Sequence, residues 1–278
     1  MANTAKARVL GAELRELRKQ AGLTVRRLEE RLSMSRSTIS RIERGDKVPG
    51  AEDIGALLAI FSVTGDRRTE LIEAAKEADQ PNWVEIGGPG IPRQLSALLE
   101  FEREATRISD LSLVRVPGLL QTADYARAVF RAGGVPPEQV EMLVAIRMGR
   151  REVLTRPAPV RYLALIDEAV LRRPVGGSAV MADQLRHIVK MAELENVTVQ
   201  VIPFEFGAHI GQDGSHLLLE FAKADPIVHL EHRRSGQFLD ELKDTTEFLG
   251  LTANLSAQAM NAERSAEVIR SCADLLEG

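Results

Sequence analysis

The stretch "SMSRSTISRIERG", residues 33–45, sets two isoleucines among three arginines and four serines. Wound as an α-helix from Ser35 at about 100° per residue, with Arg36 at zero, it places Ser40, Arg44, Ser37 and Arg41 between roughly 40° and 140°. Ile42 and Ile39 fall opposite, at roughly 240° and 300°, with Glu43 beside them at roughly 340°. The pattern predicts a helix over 35–44 with one dry face and one cationic face. Ser35 offers a side-chain oxygen to the first free amides, and Gly45 offers the left-handed conformation that ends helices.

Outward from this helix, the first 78 residues read as five short helices. Helix one carries Leu10, Leu14, Leu17 and Ala21 and stops at Gly22. Thr24 can cap a second helix with Val25, Leu28 and Leu32 inward. After the 35–44 helix, "KVPG" breaks the chain before a fourth helix on Ile54, Leu57, Leu58 and Phe61. A fifth follows "TGD" and uses Leu71, Ile72 and Ala75. Two short helices separated by a turn of about three residues predict a helix-turn-helix, whose second helix lies in the DNA major groove.

Charge points the same way. Residues 1–47 hold 12 Lys and Arg against 6 Asp and Glu, a net of +6, whereas the whole chain of 278 residues is at −4. A basic leading segment on an acidic body predicts a polyanion addressed by that segment. No apolar run approaches the 18 or so residues of a membrane span, and the N-terminal twenty residues carry charges where a signal peptide has its apolar core. The expectation is a cytoplasmic, nucleoid-associated protein with no membrane partner. One cysteine, Cys272, excludes an internal disulfide and a multi-cysteine zinc site.

Residues 79–92, "DQPNWVEIGGPGIP", hold three prolines and three glycines with neither period. The domain division expected is 1–79, a linker at 80–92, and 93–278, with Trp83 packing the linker onto a domain. In the second domain the periods predict helices at 94–109, 122–132 and 137–155, and an extended "LSLVRVPGLLQT" turning at Pro117-Gly118. They predict strands at 160–167 and 197–204 around the helical "AVMADQLRHIVKMAEL". A strand pair, "HLLLEFA" and "IVHLE", and helices near 240–257 and 261–276 complete the chain. The fold class expected is mainly α: a five-helix helix-turn-helix domain followed by an α+β domain with a small sheet.

The leading segment, "LGAELRELRKQAGLTVRRLEERLSMSRSTISRIERGDKVPG", resembles the phage-repressor-type (Xre) helix-turn-helix family over about residues 8–75. The resemblance implies double-stranded DNA as partner, with Arg36, Ser37, Arg41 and, more weakly, Ser40 reading base edges. It implies phosphate contacts from Thr24, Ser35, Arg44 and Lys47, and an internal ion pair between Arg18 and Glu43. Three positions depart from the family. Val25 stands where a phosphate-binding Gln is usual, Glu29 replaces a small packed Ala, and Ser33 replaces a turn Gly. A carboxylate at 29 must reach solvent or a neighbour such as Arg31 or Arg26.

The second domain contains no G-x-S-x-G, phosphate-loop or H-E-x-x-H motif, so no catalytic residues, cofactor or metal are expected, and the chain reads as a non-enzyme. His209, His216, His229 and His232 form the only cluster worth weighing for a metal, and their spacing is poor for one ion. "VPGLLQTADYARAV", "RMGRREVLTRPAP", "IDEAVLRRPVGG", "QLRHIVKMAELENVTVQVIPFEFGAH" and "ERSAEVIR" resemble the effector domain of actinobacterial antitoxin-like regulators. That resemblance implies a transcriptional regulator with a small partner protein encoded nearby. From the residues themselves, homodimerisation, partner binding and a small-molecule pocket all remain open for this domain, as does a main role in sequestering the partner. Pro117 to Gln121 read most simply as a structural turn that locks a helix start.

Overall fold

The computed structural model describes residues 3–86, 93–232 and 235–277. In chain order the elements begin with α1 (Ala5–Gln20), α2 (Val25–Arg31), α3 (Arg36–Glu43), α4 (Ala51–Ile60), α5 (Gly65–Glu77), β1 (Trp83–Ile86), α6 (Arg93–Glu104) and β2 (Arg107–Ser112). They continue with α7 (Ala123–Ala132), α8 (Pro137–Arg150), α9 (Glu152–Thr155), β3 (Arg161–Asp167), α10 (Glu168–Arg172), α11 (Ser178–Met191) and β4 (Val197–Ile202). The last are β5 (His216–Glu220), β6 (Ile227–Glu231), β7 (Ser235–Leu239), α12 (Leu242–Gln258) and α13 (Ala262–Leu275). The chain divides into two compact units, Met1–Ala97 with Arg233–Asp244, and Leu98–His232 with Thr245–Gly278.

The first unit holds the five helices that the periodicity predicts. Leu14, Leu28, Ile39, Ile54, Leu58 and Leu71 are all but fully buried at its centre, each contributing about 1.5–3 kcal/mol by leaving water. Two glycines set the spacing of α1 on α3. A Cβ on Gly11 would strike the Ile42 carbonyl oxygen, and one on Gly45, which has φ +79°, would lie 2.6 Å from Arg8 Cα. Only residues without a Cβ allow so close a backbone approach.

The 80–92 stretch, expected to lack regular structure, contains β1. It pairs antiparallel with β7, Trp83 opposite Phe238 and Ile86 opposite Ser235, and residues 87–92 lie outside the described residues. Trp83 tilts against the buried Phe238 ring at 5.7 Å between centroids. Asp240, just after β7, accepts from Asn82 N at 2.8 Å and from Ala5 N at 2.5 Å, the first residue of α1. A carboxylate there meets the free amides and positive end of that helix. Neither strand nor this cap follows from local patterning, because both depend on residues more than 140 positions apart.

In the second unit the strand order is β6-β5-β2-β3-β4. Strands β2, β3 and β4 run parallel, β5 is antiparallel to β2, and β6 is antiparallel to β5 in register Leu217 to His229. Tyr162 to Ile166 of β3 are buried without interruption, the mark of a strand covered on both faces. The helix expected over 94–109 stops at Glu104, and residues 107–112 form β2 instead. Its sequence, RISDLS, hides a buried strand because Ser109, Asp110 and Ser112 interrupt the apolar run. Two of these polar groups satisfy each other: Ser112 Oγ donates to Asp110 Oδ1 at 2.9 Å, and the Tyr162 hydroxyl donates to Oδ2 at 3.0 Å. The helix expected over 137–155 divides at Arg151 into α8 and α9.

Of the segment expected to be extended over 111–122, only Leu111 and Ser112 lie in a strand, and Gly118–Leu120 forms a 3-10 turn. Buried Gln184 of α11 holds that turn, its amide donating to Leu120 O at 2.7 Å and its oxygen accepting from Thr122 N at 2.7 Å. Thr122 then caps α7. Pro117 to Gln121 thus lead into a capped helix start.

Candidate nucleic-acid interface

Helices α2 and α3 are joined by a four-residue turn, and each begins on its own hydroxyl cap. Thr24 Oγ1 accepts from Arg27 N at 3.2 Å, and Ser35 Oγ accepts from Thr38 N at 3.1 Å. Ser33 needs no glycine in this turn, since its φ is not positive. In α3, Ile39, Ile42 and Glu43 are buried, Arg36, Ser37 and Arg41 are exposed, and Ser40 is half-buried. Arg44, at the C-cap, is exposed as well, and Lys47 is half-buried beyond it. The two faces read from the wheel are therefore present on one helix.

Glu43 owes its burial to Arg18. The guanidinium donates from Nε to Oε1 at 2.5 Å and from Nη2 to Oε2 at 2.8 Å, and its third nitrogen reaches Leu23 O at 2.7 Å. The hydrogen bonds to Glu43 hold Arg18 above its ordinary pKa. This two-pronged contact anchors α1 to the last turn of α3 and fixes which face of α3 points inward.

On the outer face the groups differ in how they are held. Arg44 Nε pairs with Asp46 at 2.8 Å in the open, a contact worth about 0–1 kcal/mol that an incoming phosphate can displace. Arg41 forms no ion pair among the described residues. Arg36 is different: its Nε donates to Glu29 Oε2 at 2.6 Å, and its backbone N–H donates to Glu29 Oε1 at 3.3 Å. The neighbour that satisfies Glu29 is thus Arg36, not Arg31 or Arg26, and Arg26 pairs with Glu30 at 3.4 Å. Seven positions across a turn separate Glu29 from Arg36, a spacing that no single-helix rule connects.

The second unit has its own polar centre. Arg150 meets Glu102 in a two-pronged contact at 2.7 and 2.9 Å, with side chains 8% and 1% exposed. Burial pushes the Asp110 carboxyl up to about 6. Arg147, lowered to about 10 by desolvation, rests on Gln121 Oε1 at 3.2 Å and over the Phe130 ring at 5.2 Å. The histidines do not converge. His216 stacks edge-on against Phe248 at 4.8 Å, and burial lowers both it and His229 to about 4. His209 Nδ1 accepts from Gly211 N, and His232 is exposed. Among the described residues no group of three His, Cys, Asp or Glu is placed to hold a metal ion. A cleft of about 480 Å³ lies beside the Glu102–Arg150 pair, walled by Leu99, Ile146 and Val153. Among the described residues no helix is long and apolar enough to cross a membrane.

The first unit therefore has the architecture of a helix-turn-helix module, and residues 9–71 match a helix-turn-helix domain family. Residues 95–271 match a domain of unknown function, DUF5753, and the chain belongs to that family. No curated protein matches the sequence. Among solved structures it is similar to TrmBL2, an archaeal chromatin protein described as showing a novel mode of DNA binding, at 14% identity and a TM-score of 0.32. That likeness covers 74% of this chain and 60% of the TrmBL2 chain.

Proposed function

We propose that the protein is a sequence-specific DNA-binding transcriptional regulator of the Xre type, with α3 in the major groove. The observation that carries this is the division of α3 into a face buried through Ile39, Ile42 and Glu43 and an outer face bearing Arg36, Ser37, Ser40 and Arg41. The helix-turn-helix match supports DNA binding. Guanidiniums on such a face can donate two parallel hydrogen bonds to guanine O6 and N7, each good pair giving about 1–3 kcal/mol of discrimination. Arg44 and Lys47, together with the Thr24 and Ser35 hydroxyls, are the phosphate contacts that set register. Selection of bound duplexes from a randomised pool tests the reading: a defined sequence supports it, and indifference to sequence counters it.

In this proposal residues 1–79 form the DNA-reading domain, 80–92 join it to the remainder, and 93–278 form an antitoxin-like effector domain. That domain makes a homodimer matched to two half-sites and receives a signal from a small partner protein encoded nearby. It has no catalytic role, and the protein works in the cytoplasm on the nucleoid. A second reading, small-molecule sensing, has the cleft beside Glu102 and Arg150 in its favour. Co-purification of a small protein with the full chain supports the first, and a metabolite retained by the full chain supports the second.

A further inference from the structure

We infer that Glu29 is a positioning residue for base reading, which holds Arg36 by its Nε edge so that the opposite edge of the guanidinium is presented to a guanine. The inference rests on the DNA-reading proposal above and deepens it. Glu29 projects from α2 and is only 33% exposed, whereas Arg36 opens α3 and is 63% exposed. One carboxylate takes two donors of the same residue, the backbone N–H at 3.3 Å and Nε at 2.6 Å. The first contact places negative charge at the start of α3, where free amides welcome it. The second fixes the direction of the side chain.

Three physical consequences follow for DNA. A free arginine samples many rotamers and loses that freedom on binding, while a guanidinium already gripped at Nε loses less. The pair uses the Nε side of the fork and leaves the Nη edge, which is the pair of parallel donors that guanine O6 and N7 accept. The carboxylate also cancels part of the positive charge of α3, so Arg36 adds little to the sequence-independent attraction of phosphates. Glu29 thereby lowers binding to any duplex and favours the duplex that offers guanine at the right step. Arg41, with no such partner among the described residues, depends on the DNA itself for its orientation.

The test compares full-length wild type, Glu29→Gln, Arg36→Ala and the double variant on a randomised duplex pool, with affinity for a scrambled duplex measured beside it. Gln is close to Glu in shape and keeps an oxygen for the Arg36 backbone N–H, but it loses the charge that holds Nε. The expected result is that Arg36→Ala removes a guanine preference at one position. Glu29→Gln reduces that same preference about fivefold or more, leaves the other positions unchanged, and binds the scrambled duplex as tightly or more tightly. Adding Glu29→Gln to Arg36→Ala changes the preference no further. Undiminished guanine preference in Glu29→Gln overturns the inference while leaving the DNA-reading proposal intact, and so does an equal loss at every position, which marks a general support of the fold. A wild type without base preference removes both.

Discussion

Arg18 and Glu43, 25 residues apart, lock together through two short hydrogen bonds in a site where neither side chain is more than 12% exposed. The pair ties α1 to the C-terminal turn of α3, and it works beside the close backbone approach at Gly11. Removing one partner leaves the other charge in a poor environment. Arg18→Ala or Glu43→Ala is expected to lower unfolding stability by about 3 kcal/mol, read from denaturant midpoints of the full chain. The double variant should lose less than the sum of the singles. Additive losses would show that the two residues act independently.

Gly45 ends α3 at φ +79° with Arg8 Cα only 2.6 Å from where its Cβ would be. Gly45→Ala combines backbone strain with a clash against main chain that cannot swing away, and should cost more than the ~1 kcal/mol of the conformation alone. Gly22 shares the positive φ but has open space around it, so Gly22→Ala should cost only the conformational part. Urea titrations of the two variants measure the difference, and equal losses would contradict the packing described for α1 and α3.

Acid should weaken the second unit, with two opposing contributions. His216 and His229 titrate near 4 when folded and near their ordinary 6.5 when unfolded. The unfolded chain therefore takes up protons first, and stability falls as pH drops from about 6.5 to 4. Asp110 has the reverse sign: its folded value near 6 exceeds the ordinary 3.8, so the folded chain binds the proton first and gains stability as pH falls from about 6 to 3.8, across most of that window. Two imidazoles against one carboxyl leave a net loss, each group bearing on the order of 3 kcal/mol. His216→Gln should flatten the acid limb of a stability-against-pH curve, and Asp110→Asn should steepen it. The same slope in both variants would place the titrating groups elsewhere.

What the sequence discloses follows how local its signals are. Helices α1 to α5 carry apolar spacing, hydroxyl caps and terminal glycines within a few residues of each other, and the two faces of α3 follow from a wheel alone. Strand β2 is concealed because Ser109, Asp110 and Ser112 interrupt its apolar run, and Asp110 meets its Tyr162 partner only in the folded sheet. Strands β1 and β7 are short, and each is stabilised by a partner more than 140 residues away. The Arg18–Glu43 contact is legible through family resemblance, whereas the Glu29–Arg36 contact is not, because the family residue at 29 has no carboxylate. Burial of His216 and His229 is equally hidden, since nothing in "SHLLLE" or "IVHLE" says which side of each strand the sheet covers.

Phosphate and base contacts should separate by salt. Lys47→Ala is expected to weaken binding to every duplex alike and to reduce the slope of log affinity against log salt by about one. Arg44→Ala should behave similarly, with a smaller effect because Asp46 already holds part of its charge. Fluorescence anisotropy at several salt concentrations, on a selected and a scrambled duplex, measures both. A sequence-dependent loss in Lys47→Ala would move that residue from the backbone to the bases.

The most direct measurement is the ratio of affinities for the selected and scrambled duplexes in wild type and in the Arg36→Ala, Arg41→Ala double variant. If the outer face of α3 reads the bases, that ratio falls towards one while much of the scrambled-duplex affinity survives. A double variant that keeps the wild-type ratio would show that another surface recognises the sequence, and the role given to α3 would be wrong.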